Sequence, residues 1–347
     1  MMKRAIRAVL IDDSSFMRKV IGDIIEADES VELVGVASDG KEGVHLINDL
    51  RPDVVVTDMV MPQYDGLYVV REVMEKFPTP VILLSSLDKG NQRIFEALEH
   101  GAFEFIDKPT ELSSESIKSY PLLTLIKHAA EADIMLLAGK HVSEKKHAVV
   151  LGAHTKIQHS IIVIGASTGG PSAVESILMS LPINLNVPVV VAQHMPARFL
   201  ETFAQRLKAQ SLLPVRLASN GHSLKGGTIY IVPGDGNTRI ERSTIDNTPV
   251  FAASQRAFEE FNNPSINCLM ESVVEVYGHK VMGLILTGMG KDGMRGLKKI
   301  HDAGGFTMAQ DEDSCVVFGM PKAALEFGAV KKMLSLKEIP ANIIQNL

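Results

Sequence analysis

Tryptophan is absent from the 347-residue chain, and cysteine occurs only at Cys268 and Cys315. Two cysteines cannot build a disulfide framework or a cysteine-rich zinc centre, which fits a reducing compartment. No apolar run approaches the roughly 18–20 residues that a membrane-spanning helix needs. The basic start, Met1-Met2-Lys3-Arg4-Ala5-Ile6-Arg7, leads into an apolar run that Arg7 interrupts and Asp12-Asp13 ends. It lacks the hydrophobic region of an export signal. These absences predict a soluble cytoplasmic protein with no direct membrane insertion. Aromatic residues make up 5% of the chain, and positive charge is spread thinly, so nucleic acid is not an expected partner.

What is present is ordinary globular material, 46% apolar and 22% charged. The length suits two domains of roughly 100–200 residues each. Net charge is −6 but unevenly distributed. Residues 1–125 carry 13 basic and 22 acidic residues, a net of −9, and the remainder carries 22 and 19, a net of +3. An acidic module is joined to a mildly basic one, an asymmetry that lets the two attract each other.

In residues 1–125 short apolar runs alternate with helical patterns. Ala8–Ile11, Val31–Ala37, Val54–Val56, Val81–Leu84 and Phe103–Ile106 read as strands, with helices between them. That order predicts a five-stranded parallel sheet covered on both faces. Residues 126–160 read as a helical extension, the end of a helix over 122–138, and then a linker without period. The linker histidines His141, His147, His154 and His159 match no usual metal-ligand spacing and read as solvated. A second, doubly wound α/β domain is expected over 161–347. Its strand-like runs are Ile161–Ile164, Pro188–Ala192, Thr228–Val232 and Val281–Leu286.

Asp12 and Asp13 end the first strand and Asp58 the third. Ligands of open parallel sheets bind outside those carboxyl ends. Three converging carboxylates repel unless a cation neutralises them, and hard oxygen ligands suit Mg²⁺. Ser85 after the fourth strand and Lys108 after the fifth add a hydroxyl and an ammonium at the same edge. The set suits a carboxylate that accepts a phosphoryl group.

In the second domain, Gly165-Ala166-Ser167-Thr168-Gly169-Gly170-Pro171 follows a strand and opens a helix. Gly-x-Ser-x-Gly there fits a nucleophile elbow. A phosphate cradle or a plain tight turn fits the local pattern too. Two further strand ends favour the nucleophile. Val189–Ala192 runs into Gln193-His194-Met195-Pro196, and Leu284–Leu286 into Thr287-Gly288-Met289-Gly290-Lys291-Asp292-Gly293. A serine, a histidine and an aspartate thus lie past the ends of predicted parallel strands, where a triad can assemble. Their chain order differs from that of α/β-hydrolases, which disfavours a plain lipase or esterase.

Asp12-Asp13, Asp58 with Met61-Pro62 and Asp65-Gly66, Ser85, and Lys108-Pro109 resemble the receiver domain of two-component response regulators. The resemblance implies a flavodoxin-like fold, Asp58 as phosphoacceptor, Asp12, Asp13 and Asp58 around Mg²⁺, and Ser85 and Lys108 as phosphate sensors. Ser86 is the neighbouring alternative to Ser85. Phe105 takes the place of the aromatic switch or simply fills the core. The second-domain segments, with Gln310-Asp311 and Phe318-Gly319-Met320-Pro321, resemble the chemotaxis protein-glutamate methylesterases/protein-glutamine glutaminases. That family pairs a receiver with just such a catalytic domain.

The resemblance implies Ser167 as nucleophile, His194 as acid/base, Asp292 as orienting carboxylate, and Thr168 and Met289 in the oxyanion region. It implies methyl-accepting chemotaxis receptors as substrate and a chemotaxis histidine kinase as phosphodonor. Mg²⁺ would serve the receiver only, and the hydrolase chemistry would use no cofactor. Two departures stand out. Residues 233–237 lack a His-Met pair expected after Pro-Gly, and Asn267 stands where an Asp is usual. The alternatives from other classes are a non-catalytic regulator that only binds receptors or a nucleotide, and a DNA-binding regulator.

Overall fold

The computed structural model describes residues 4–86, 91–110, 113, 116–117, 120–138, 151, 158–256, 258 and 263–347. The chain divides into two compact units, Met1–Ser143 and Glu144–Leu347. Of the linker, the stretches 139–150 and 152–157, with His141, His147 and His154, lie outside the described residues.

In the first unit the expected sheet is present. It comprises β1 (Ile6–Ile11), β2 (Val31–Ala37), β3 (Val54–Asp58), β4 (Val81–Ser85) and β5 (Glu104–Asp107). The order is β2-β1-β3-β4-β5, every pair parallel. Ala8–Ile11, Val54–Val56 and Val81–Leu84 are fully buried, as strands covered by helices on both faces must be. Strand order reverses between β1 and β3, so a crevice opens between the ends that carry Asp12 and Asp58. The expected helix over 122–138 is two helices, Leu122–Glu131 and Ile134–Ala138. Ala132 is extended between them and the Asp133 carboxylate accepts from the Met135 N–H. The first of these helices packs on Ser15–Glu26 and on β1, β3 and β4. Position 125 therefore falls inside an element of the first unit.

The second unit holds a seven-stranded sheet. Its strands are β6 (Ile161–Ala166), β7 (Val189–Gln193), β8 (Val215–Leu217) and β9 (Ile229–Ile231), then, after a separate hairpin of β10 (Asn237–Arg242) and β11 (Pro249–Ser254), β12 (Val281–Ile285), β13 (Phe306–Gln310) and β14 (Lys332–Leu334). Sheet order is β14-β13-β12-β6-β7-β9-β8 and the pairing is parallel. The chain enters in the middle, works outward through β7, then returns to lay β12 on the other side of β6. The switch point lies between β6 and β12, with β7 as the next neighbour. Ser167, Asp292 and His194 follow those three strands.

The sequence reading did not anticipate β8, β13, β14 or the hairpin. His159 is not the solvated linker residue that its sequence context predicts. His159 is half-buried, its Nδ1 lies 2.5 Å from the Asn346 carbonyl oxygen, and its ring is tilted against Phe306. Burial holds its imidazole below the ordinary histidine range. Leu151 is buried too, its main chain bonded both ways by the Asn184 amide at 2.8 and 3.1 Å.

Candidate active site

The elbow after β6 is built by close packing. Gly169 has φ +71°, in the left-handed region, and a Cβ there would lie 2.7 Å from the Val316 Cβ. Only glycine meets both demands without strain. The turn is tied across the sheet: the Ser167 N–H donates to the Thr287 carbonyl at 3.1 Å, and the His194 N–H to the Ala166 carbonyl at 3.0 Å. The Thr287 hydroxyl donates to the Thr168 carbonyl at 3.0 Å and accepts from the Val317 N–H. A Cβ on Gly288 would stand 2.7 Å from that of Ser167, so the strand end after β12 presses directly on the serine.

Asp292 is fully buried. Its Oδ2 takes the Nε2–H of His194 at 2.8 Å and the Ile266 N–H at 2.8 Å; its Oδ1 takes the N–H groups of Asn267 at 2.9 Å and Gly293 at 2.8 Å. Ile266 and Asn267 open the helix Ile266–Tyr277, whose positive dipole end faces the carboxylate. Burial alone would raise the Asp292 pKa, but the imidazole and these amides outweigh it and hold the carboxyl below the ordinary range. With Nε2 committed to Asp292, Nδ1 is the ring nitrogen left for proton transfer. Thr168 is buried and Met289 half-buried. Among the described residues nothing accepts from the N–H of either.

Sequence reasoning assigned no role to Gln193, Thr287 or Gln310, each about 1% exposed. Gln310 Oε1 accepts from the Thr287 N–H at 2.9 Å. The available signal was a polar residue at or just past the end of an apolar strand, buried where only a hydrogen-bonded partner makes burial tolerable.

At the ends of β1 and β3, Asp12 and Asp58 are buried and Asp13 is exposed. One oxygen from each lies within 4.8 Å of the others. Lys108 Nζ stands 2.6 Å from Asp12 Oδ2 and 2.9 Å from Asp58 Oδ2. Burial raises the Asp58 carboxyl above its ordinary range despite that ammonium. Burial would lower the Lys108 pKa, but the two carboxylates outweigh it and leave it raised. Three carboxylates and one ammonium leave net negative charge on hard oxygens, a donor set that fits Mg²⁺. Ser85 is buried opposite Asp107, and its carbonyl accepts from the Lys108 N–H at 2.8 Å, while Ser86 is exposed. Phe105 is buried on β5.

Comparison with known proteins covers both units. Residues 162–343 match the family model for CheB methylesterase, and residues 8–116 that for the response regulator receiver domain. A protein-glutamate methylesterase/protein-glutamine glutaminase of Pyrococcus abyssi is 36% identical over 99% of this chain and 94% of its own. One from Thermotoga maritima is 37% identical over 99% of each. The crystal structure of the Thermotoga maritima CheB methylesterase catalytic domain superposes with a TM-score of 0.52 at 37% identity, over 55% of this chain and 99% of that one.

Proposed function

The chain belongs to the CheB methylesterase family, with a response regulator receiver domain ahead of the catalytic one, and from that premise we propose that it demethylates glutamyl methyl esters on methyl-accepting chemotaxis receptors under control of receiver phosphorylation. The observation that carries the reading is Asp292: buried, ionised and bonded to His194 Nε2 beside the Ser167 elbow.

The chemistry follows from that arrangement. Ser167 Oγ attacks the ester carbonyl and His194 Nδ1 takes its proton. The developing oxyanion draws on the Thr168 and Met289 N–H groups. Asp292 stabilises the imidazolium, which returns the proton to the departing methoxide. Methanol leaves, and a glutamyl ester of Ser167 remains. Water, deprotonated by the same imidazole, attacks that ester and releases glutamate. On a glutamine side chain the same steps expel ammonia, so one triad serves both the esterase and glutaminase activities.

In the receiver, Asp58 takes a phosphoryl group from a chemotaxis histidine kinase in the cytoplasm. Asp12, Asp13 and Asp58 would hold Mg²⁺, which when bound counters the charge of the transferring group. Lys108 meets the phosphoryl oxygens, Ser85 contacts them from the end of β4, and Phe105 follows Ser85. The hydrolase step uses no cofactor.

The test is purified protein with methyl-labelled receptor membranes. Methanol release that disappears in Ser167→Ala supports the reading. Equal release from that variant removes Ser167 from the reaction.

A further inference from the structure

Gln193, the last residue of β7, is 1% exposed and lies beside Ala166 in register. Its Nε2 donates to two main-chain carbonyls at once: that of Ser167 at 2.9 Å and that of His194 at 3.1 Å. One rigid amide therefore touches the backbone of both the nucleophile and the base. The Ser167 carbonyl also accepts from the Gly170 N–H at 2.7 Å, so the elbow is held from its own helix and from the neighbouring strand. The other end of the amide, Oε1, is buried and has no hydrogen-bond partner among the described residues. A Cβ on Gly170 would lie 2.2 Å from that oxygen. Leaving a buried carbonyl unpaired is costly, and the arrangement persists because the donor end has two acceptors to satisfy and Gly170 leaves room.

We propose that Gln193 is the positioning residue that fixes the spacing of Ser167 and His194, acting through their main chains and never touching substrate, and that Gly170 serves it by leaving the amide its space. Among the described residues the two loops are otherwise joined at this edge by the His194 N–H to Ala166 carbonyl bond, one residue short of the serine. Without the amide, the elbow keeps its ties to Thr287 and Gly170 and His194 keeps its bond to Asp292, but no side chain sets the one loop end against the other. A displacement near 1 Å in such a pair costs up to about 100-fold in rate.

The inference rests on the triad assignment, and its test separates the two. A fluorophosphonate probe reports nucleophile activation without any receptor: Ser167 Oγ forms the P–O bond, fluoride leaves, and His194 takes the proton. Three variants are compared with the full-length protein, and their unfolding midpoints are measured alongside. Gln193→Met keeps the length and loses both donors. Its labelling rate and its kcat on receptor should fall about 10- to 100-fold, with KM unchanged. Gly170→Ala, which displaces the amide from outside, should reproduce the loss. Gln193→Glu can donate only when protonated, so its rate relative to wild type should rise as pH falls.

Labelling of Ser167 in wild type with undiminished rates in Gln193→Met overturns the positioning role and leaves the triad intact. A fall in thermal midpoint with an unchanged rate for the folded protein overturns it also, since that is a purely structural contribution. Wild type that resists labelling at Ser167 removes the triad, and this role with it.

Discussion

At Asp292 complete burial and an ionised carboxylate coexist because three main-chain amides and an imidazole surround the group. Ser167→Ala and His194→Ala should each lower turnover by about 10⁴ or more, as deletions within a cooperating triad do. Asp292→Asn should lose less, because the nucleophile and base remain. Steady-state methanol release checks all three, and near-normal turnover in a folded Ser167 or His194 variant contradicts the assignment. Asp58 shows the opposite balance, since burial prevails over Lys108 and its carboxyl is raised above the ordinary value of 3.8. The unfolded chain ionises this group more readily, so at pH 7 the ionised residue costs the folded first unit stability. The cost is lost as pH falls through the raised value and is gone below 3.8. Asp58→Asn in chelating buffer should therefore raise the calorimetric midpoint of that unit at pH 7, with the gain shrinking toward pH 4. A gain independent of pH would mean that ionisation is not its source.

The helix Ile266–Tyr277 is the element on which the orientation of His194 depends, since its first amides hold Asp292. Its N-cap Ser265 accepts from the Cys268 N–H at 3.2 Å, and the same hydroxyl lies 3.4 Å from Asp292 Oδ1. Ser265→Ala should cost about 0.5–2 kcal/mol of stability in the second unit, measured by denaturant unfolding. It should also lower kcat more than KM, because the fraying end is the one that faces the carboxylate. Loss confined to KM would mean that Ser265 meets substrate instead. The hairpin of β10 and β11 reaches the same helix: the Ile240 N–H donates to the Ser272 hydroxyl at 3.0 Å, and Asn237 Oδ1 accepts from the Ser265 N–H at 2.8 Å.

For the whole molecule, net charge divides into −9 over residues 1–125 and +3 over the rest. Phosphorylation of Asp58 adds roughly 1–2 negative charges. If the unphosphorylated receiver restrains the hydrolase, residues 144–347 alone should turn over receptor faster than the unphosphorylated full chain and ignore phosphodonors. A folded fragment that is no faster would mean that the receiver activates rather than restrains. Mg²⁺ should raise the midpoint of the first unit in wild type by mass action and do so less in Asp12→Asn, as followed by a titration of the metal against thermal unfolding.

Both site clusters were legible in the sequence for one reason. A buried parallel strand is a run of apolar residues, and the point where polarity returns is its carboxyl end, where such sheets bind ligands. Ile161–Ala166 before Ser167 and Val54–Thr57 before Asp58 are patterns of this kind. The short edge strands were not legible, since Val215–Leu217 and Lys332–Leu334 have three residues each, too few to establish a period. The hairpin strand Asn237–Arg242 buries only Thr238 and Ile240, so its alternation is faint. Tertiary structure alone decided that β12 returns beside β6, which nitrogen of His194 meets Asp292, and that Ile266 and Asn267 bond to Asp292 and Gln193 to the main chains of Ser167 and His194. Those facts depend on which chain segments pair across 25 to 120 residues of sequence, and a hydrogen bond between distant segments leaves no periodic trace in either one.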